Sequence, residues 1–202
     1  LWYLNHNLIE LNLKDKIVLG YIGRIEKFKG SFVLLDAFSE TLKQYNDVVL
    51  ILVGDGKELD KAKEYASKLG LLENENILFT GFFDGDVLEI LNLFDIFVFP
   101  SFWEGLPYSV LEAMSLGKII ISTNVGGIPE LIEEDKHGLL VDAKNVSMLK
   151  DAMLRVLTNL EKYKYLGINA KLKIEHKFSL DLFKKNISKI ILFILLLFLS
   201  IL

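Results

Sequence analysis

Residues Phe97–Glu112 read FVFPSFWEGLPYSVLE. The apolar start is a buried strand that ends at Pro100-Ser101. A turn then presents Glu104-Gly105, and Pro107 starts a helix that carries Glu112. A strand running through a short turn into a helix is a unit of parallel α/β architecture. It brings the carboxyl edge of a strand to a helix N-terminus with two carboxylates beside it. Backbone N–H groups there can hold a phosphate while the acids grip hydroxyls.

The same grammar extends outward from this stretch. Strand-like runs at Ile17–Tyr21, Val48–Val53, Ile77–Thr80, Ile96–Phe99, Lys118–Ser122 and Gly138–Val141 alternate with helix-like ones. The helical segments are Gly30–Tyr45, Lys57–Leu69, Asp86–Leu93, Leu106–Leu116, a short one near Pro129–Glu133, and Val146–Leu157. Phe32, Leu35, Phe38 and Leu42 repeat at helical spacing. Gly70 and Gly117 stand where helix-ending residues belong. Continuous apolar strands between helices predict a doubly wound, Rossmann-like parallel sheet covered on both faces. Sites in such sheets form beyond the carboxyl ends of the strands.

Composition narrows the function classes. The 202-residue chain has room for one good core and an appendage. A net charge of −4, a pI near 5.5 and no basic stripe argue against a nucleic-acid surface. Absence of cysteine excludes disulfides and thiolate metal sites and fits a reducing cytoplasm. His6, His137 and His176 have no ligand spacing, so no metal is expected. The first residue is Leu1 rather than Met, which leads to the expectation that the chain is a piece of a longer protein.

Gly23-Arg24 follows the first strand, and Lys29-Gly30 opens the next helix. Arg24 as a planar fork and Lys29 as a point charge suit a diphosphate. The alternative is a solvated loop with a surface salt bridge. Helix-dipole stabilisation is the plain alternative for Glu104 and Glu112. Ser101 reads as a structural hydroxyl, since no His–acid relay accompanies it. Asp84-Gly85-Asp86 imitates a metal-binding D-x-D pair, but Asp86 reads better as a helix cap and Asp84 as a turn residue. The Gly54-Asp55-Gly56 stretch is a poor dinucleotide fingerprint, because Leu59 stands where a third small residue belongs.

Three elements together resemble family 4 glycosyltransferases: the E-x7-E pair Glu104–Glu112 with its flanks, the G-R-x4-K-G loop at Gly23–Gly30, and the G-G-x-P-E turn at Gly126–Glu130. The resemblance spans roughly Ile17 to Phe178. It implies the C-terminal, donor-binding lobe of a GT-B fold, with an N-terminal acceptor lobe missing. The implied reaction moves a sugar from a UDP- or GDP-type nucleotide-diphosphate donor to a hydroxyl, with retention of configuration and without a metal, in cell-surface polysaccharide or glycolipid synthesis. Arg24, Lys29 and Glu104 would be catalytic. Gly23, Gly81, Phe82, Gly105, Leu106, Tyr108, Ser109 and Glu112 would bind the donor. Within that set, Glu104 would hold sugar hydroxyls and Glu112 the ribose, the amides of Gly105–Ser109 would face the sugar and phosphates, and Gly81–Phe83 would lie along the base. Glu130 would back the site. The resemblance also leaves open a non-catalytic nucleotide-sugar-binding subunit, or an epimerase or phosphorylase of the same architecture.

Residues 1–15 read as the remnant of a preceding segment, 16–177 as the nucleotide-sugar-binding domain and 178–202 as a C-terminal helix with a hydrophobic tail. Ile190–Leu202 is apolar apart from Ser200. As a helix it would span about 20 Å, short of the hydrocarbon core of roughly 30 Å. Lys184, Lys185 and Lys189 precede it, as they would beside a cytoplasmic leaflet. A truncated span, an interfacial anchor and a helix for the missing lobe all fit. The expected location is the cytoplasm, peripheral to the inner face of the membrane if the tail binds there.

Overall fold

The computed structural model describes residues 13, 16–73 and 76–178. His6, the leading segment through residue 12 and the basic and apolar tail from residue 179 lie outside the described residues.

Within the described residues six strands form one parallel sheet: β1 (Ile17–Ile22), β2 (Val48–Val53), β3 (Ile77–Gly81), β4 (Ile96–Phe99), β5 (Ile119–Thr123) and β6 (Leu139–Val141). Their spatial order is β3-β2-β1-β4-β5-β6. The chain therefore builds outward from β1 in one direction, then returns to pair β4 against β1 and builds the other way. That reversal, with Leu19 opposite Ile96 and Gly20 opposite Phe97, is the topological switch point.

Among the described residues seven α-helices cover the sheet: α1 (Ser31–Leu42), α2 (Leu59–Lys68), α3 (Val87–Asn92), α4 (Tyr108–Ser115), α5 (Ile128–Leu131), α6 (Val146–Leu157) and α7 (Leu160–Lys177). All six residues of β2 are buried, which is why that strand reads as an unbroken apolar run. Leu50 and Leu52 share one core with Leu34 and Phe38 of α1 and Met153 of α6. Val49 and Ile51 share the opposite core with Ile90 of α3, Met114 of α4 and Leu131 of α5.

Helix ends follow the sequence signals. Asp86 Oδ1 accepts the Leu88 amide at 2.9 Å and caps α3, so the D-x-D pair is built as a cap. Gly70 and Gly117 take φ of 73° and 69° just beyond α2 and α4. Two local readings change. α4 begins at Tyr108, not Leu106. Pro107 stands before the helix with extended ψ of 116°, and its carbonyl accepts from Leu111. The long α7 is the second change. Its lysines are spread around the helix rather than gathered on one side, so no apolar stripe announces it.

Candidate functional site

The loops after β1 and β4 meet at the switch point, and backbone bonds bind them. Phe102 donates its amide to the Phe28 carbonyl at 2.7 Å. The buried Ser101 hydroxyl contacts the carbonyls of Phe28 and Trp103 at 3.3 and 3.2 Å, a purely structural role. Gly30 makes the approach workable. At φ 77°, a Cβ on it would lie 1.9 Å from the Pro100 carbonyl oxygen. A 3-10 turn at Lys27–Lys29 precedes α1, so Lys29 stands in that turn rather than in the helix.

This junction brings the predicted cations and one predicted acid together. Lys29 Nζ donates to Glu104 Oε1 at 2.6 Å, with the side chains only 16% and 9% exposed. Arg24 pairs with Glu26 at 3.1 Å and is largely exposed. Both cations lie over the Phe28 ring, with Arg24 at 5.7 Å and Lys29 at 5.5 Å from its centroid. Beneath them the Tyr21 hydroxyl donates to the Arg24 carbonyl at 2.9 Å. Burial, reinforced by the charges of Glu104 and Glu26, pushes the Tyr21 phenol well up, so it stays protonated.

Glu104 is held from behind by the Gly126-Gly127 turn. Gly127 donates its amide to the Gly105 carbonyl at 3.0 Å. Gly126, at φ 53°, lies so close that a Cβ would be 1.7 Å from the Glu104 carbonyl oxygen. The backbone of this turn does the backing; the Glu130 side chain is exposed and has no partner among the described residues. The dipole explanation for the two acids fails. Glu104 precedes α4 and is engaged by Lys29, while Glu112 lies in the second turn, beyond the dipole's main reach. The amides of Tyr108, Ser109 and Val110 have no acceptor among the described residues and point out of the helix start.

Glu112 does not join the Lys29–Glu104 pair. It is half-buried, and its carboxyl is pushed above the usual range by burial and then by the Asp86 charge at the cap of α3. On the β2–β3 side a cleft of about 430 Å³ opens between Gly23-Arg24, Gly54–Gly56 and Phe82-Phe83. Phe82 and Tyr108 are each 78% exposed, and Leu106 is also exposed. Gly81 takes φ 69° and accepts the Gly54 amide at 2.9 Å, shaping the cleft from behind. Glu26, Phe28 and Tyr21 belong to the site although the sequence reading did not include them. A carboxylate two residues from Arg24, and a Tyr in an apolar strand whose hydroxyl needs a partner, were the available signals.

Comparison with known proteins agrees with this geometry. The sequence profile of the family described as Glycosyl transferases group 1 matches residues 7–173. The crystallised C-terminal domain of a glycosyl transferase group 1 family protein (LpcC) from Francisella tularensis is 31% identical. The match covers 81% of this chain and 87% of that one, with a TM-score of 0.72. HepE of Anabaena, solved in complex with UDP, is 24% identical over 94% of this chain and 52% of that one, with a TM-score of 0.82. The capsular polysaccharide biosynthesis glycosyltransferase CapM of Staphylococcus aureus is 27% identical over 83% of this chain and 43% of its own. The chain spans about half the length of the curated relatives it matches. A Rossmann-like parallel sheet of the GT-B kind and a profile match across most of its length place this chain in the group 1 glycosyltransferase family.

Proposed function

We propose that residues 16–177 are the donor-binding lobe of a sugar-transferring enzyme, acting with an N-terminal acceptor lobe on a UDP- or GDP-type nucleotide-diphosphate hexose. The observation that carries this reading is the pair of cations over Phe28 at the switch point, together with the unengaged amides that open α4. Lys29 has three donors and gives one to Glu104; Arg24 has five and gives one to Glu26. Both keep donors for diphosphate oxygens. As the bond between sugar and diphosphate breaks, its electron pair leaves with the diphosphate, and Arg24 and Lys29 stabilise that charge. The reaction needs no divalent metal on this reading, and it retains the anomeric configuration. Glu104 Oε2 holds sugar hydroxyls, Glu112 the ribose, and the cleft beside Phe82 the base.

UDP in the HepE complex supports a nucleotide-diphosphate ligand, and the name of CapM supports a role in cell-surface polysaccharide or glycolipid synthesis. Among the described residues no helix is long and apolar enough to cross a membrane. We place the protein in the cytoplasm, with the basic tail at the inner membrane face. Titration calorimetry with UDP, GDP and ADP tests the reading: weak binding of UDP or GDP is expected from half a cleft. No binding of any of the three at millimolar concentration overturns it. Turnover belongs to the two-lobed parent, is unaffected by EDTA, and yields a product whose anomeric configuration NMR reads directly.

A further inference from the structure

A second concave site lies away from the donor cleft and shares no lining residue with it. It is a cavity of about 340 Å³ between the loop that leads into β6 and the last turns of α7. Lys136, Lys173, His176 and Lys177 line it, with Glu133 as the acid among them. Glu133 is engaged by Lys136 at 3.0 Å. Lys173 donates to the carbonyls of Glu130 and Leu131 at 2.7 Å each, which anchors its ammonium at the cavity wall and leaves one donor over. Lys177 and His176 have no hydrogen-bond or ion-pair partner among the described residues. Three ammonium groups therefore face one carboxylate. Burial and the charge of Lys177 push Lys173 down from the usual lysine range, and burial with the charge of Lys173 pushes the adjacent His137 imidazole down from its own. The concavity is short of negative charge.

We propose that this cavity binds the phosphate of an anionic phospholipid headgroup and seats the protein on a membrane surface. Charge and chain continuity select the lipid over a soluble phosphate. α7 ends at the cavity, and the sequence that follows carries Lys184, Lys185 and Lys189 before the apolar run Ile190–Leu202. A phosphate site at Lys136 and Lys177 is followed in sequence by a polybasic stretch and an apolar run, and stable anchoring needs two such signals.

The test is flotation of the full chain with vesicles of pure phosphatidylcholine and of phosphatidylcholine containing phosphatidylglycerol. Wild type is compared with Lys136→Ala/Lys177→Ala and with Lys184→Ala/Lys185→Ala. Both lysine pairs should lower the partition onto anionic vesicles, the cavity pair by about 30-fold at low salt. Equal partition of wild type and the cavity variant overturns the proposal. A parallel titration with glycerol phosphate, followed on the His176 imidazole by NMR, separates the sources: saturable binding without a preference for anionic vesicles rejects the lipid. UDP affinity of the cavity variant should equal wild type. Failure of UDP binding in the wild type bears on the donor site alone.

Discussion

Lys29 Nζ donates to Glu104 Oε1 at 2.6 Å across 75 residues of sequence, joining the loop after β1 to the loop after β4. The pair is mostly buried, so each partner compensates a charge the other would leave exposed to a poor solvent. Lys29→Met or Glu104→Gln alone should cost about 3 kcal/mol in urea unfolding. The double variant should cost clearly less than the sum. Additive losses would mean that the two residues act separately.

Arg24 behaves differently because it is solvated. Arg24→Ala should change stability by no more than about 0.5 kcal/mol. Its UDP affinity should fall at least about tenfold, from loss of a charge-assisted hydrogen bond, while uridine binding stays unchanged. Calorimetry on both ligands checks this; equal losses for UDP and uridine would assign Arg24 to folding.

Glu112 should trade stability against binding. Its carboxyl is raised by burial and Asp86, so the folded state disfavours its charge. A raised carboxyl contributes stability below its unfolded pKa and loses it as pH rises through the folded value. Glu112→Gln should therefore melt above wild type at pH 7, and the gap should close as pH falls through the carboxylate range. The same variant should bind a ribonucleotide more weakly while matching wild type on its 2′,3′-dideoxy analogue.

Gly30 and Gly70 share a positive φ, 77° and 73°, yet differ in surroundings. An added Cβ meets the Pro100 carbonyl at Gly30 and nothing within 4 Å at Gly70. Gly70→Ala should cost about 1 kcal/mol, the left-handed backbone penalty alone. Gly30→Ala should cost more than twice that in chemical denaturation and should also weaken UDP binding by parting the two loops.

Ser31 tests the opposite case. Its hydroxyl is buried at the start of α1 and is the only buried side-chain polar atom among the described residues without a partner. Ser31→Ala should be neutral or stabilising, by up to about 1 kcal/mol, in thermal unfolding.

Much of this protein is written locally. Val48–Val53 is apolar at every position because both its faces are covered, and that alone implies a parallel sheet between helix layers. Asp86 before an apolar turn and Gly70 after one mark helix ends, because caps depend on a few neighbouring dihedrals. The motifs at Gly23–Gly30 and Phe97–Glu112 sit at strand-to-helix junctions for the same reason. Tertiary structure alone decided who meets whom there. Lys29 reaches Glu104 because β4, rather than β3, pairs with β1. Glu112 faces the cap of α3, and α7 takes its place through packing that its mixed pattern does not announce. Periodicity reports how each segment is buried. The order of strands, and so the pairing of charges across 75 residues, follows only from assembling every segment into one sheet.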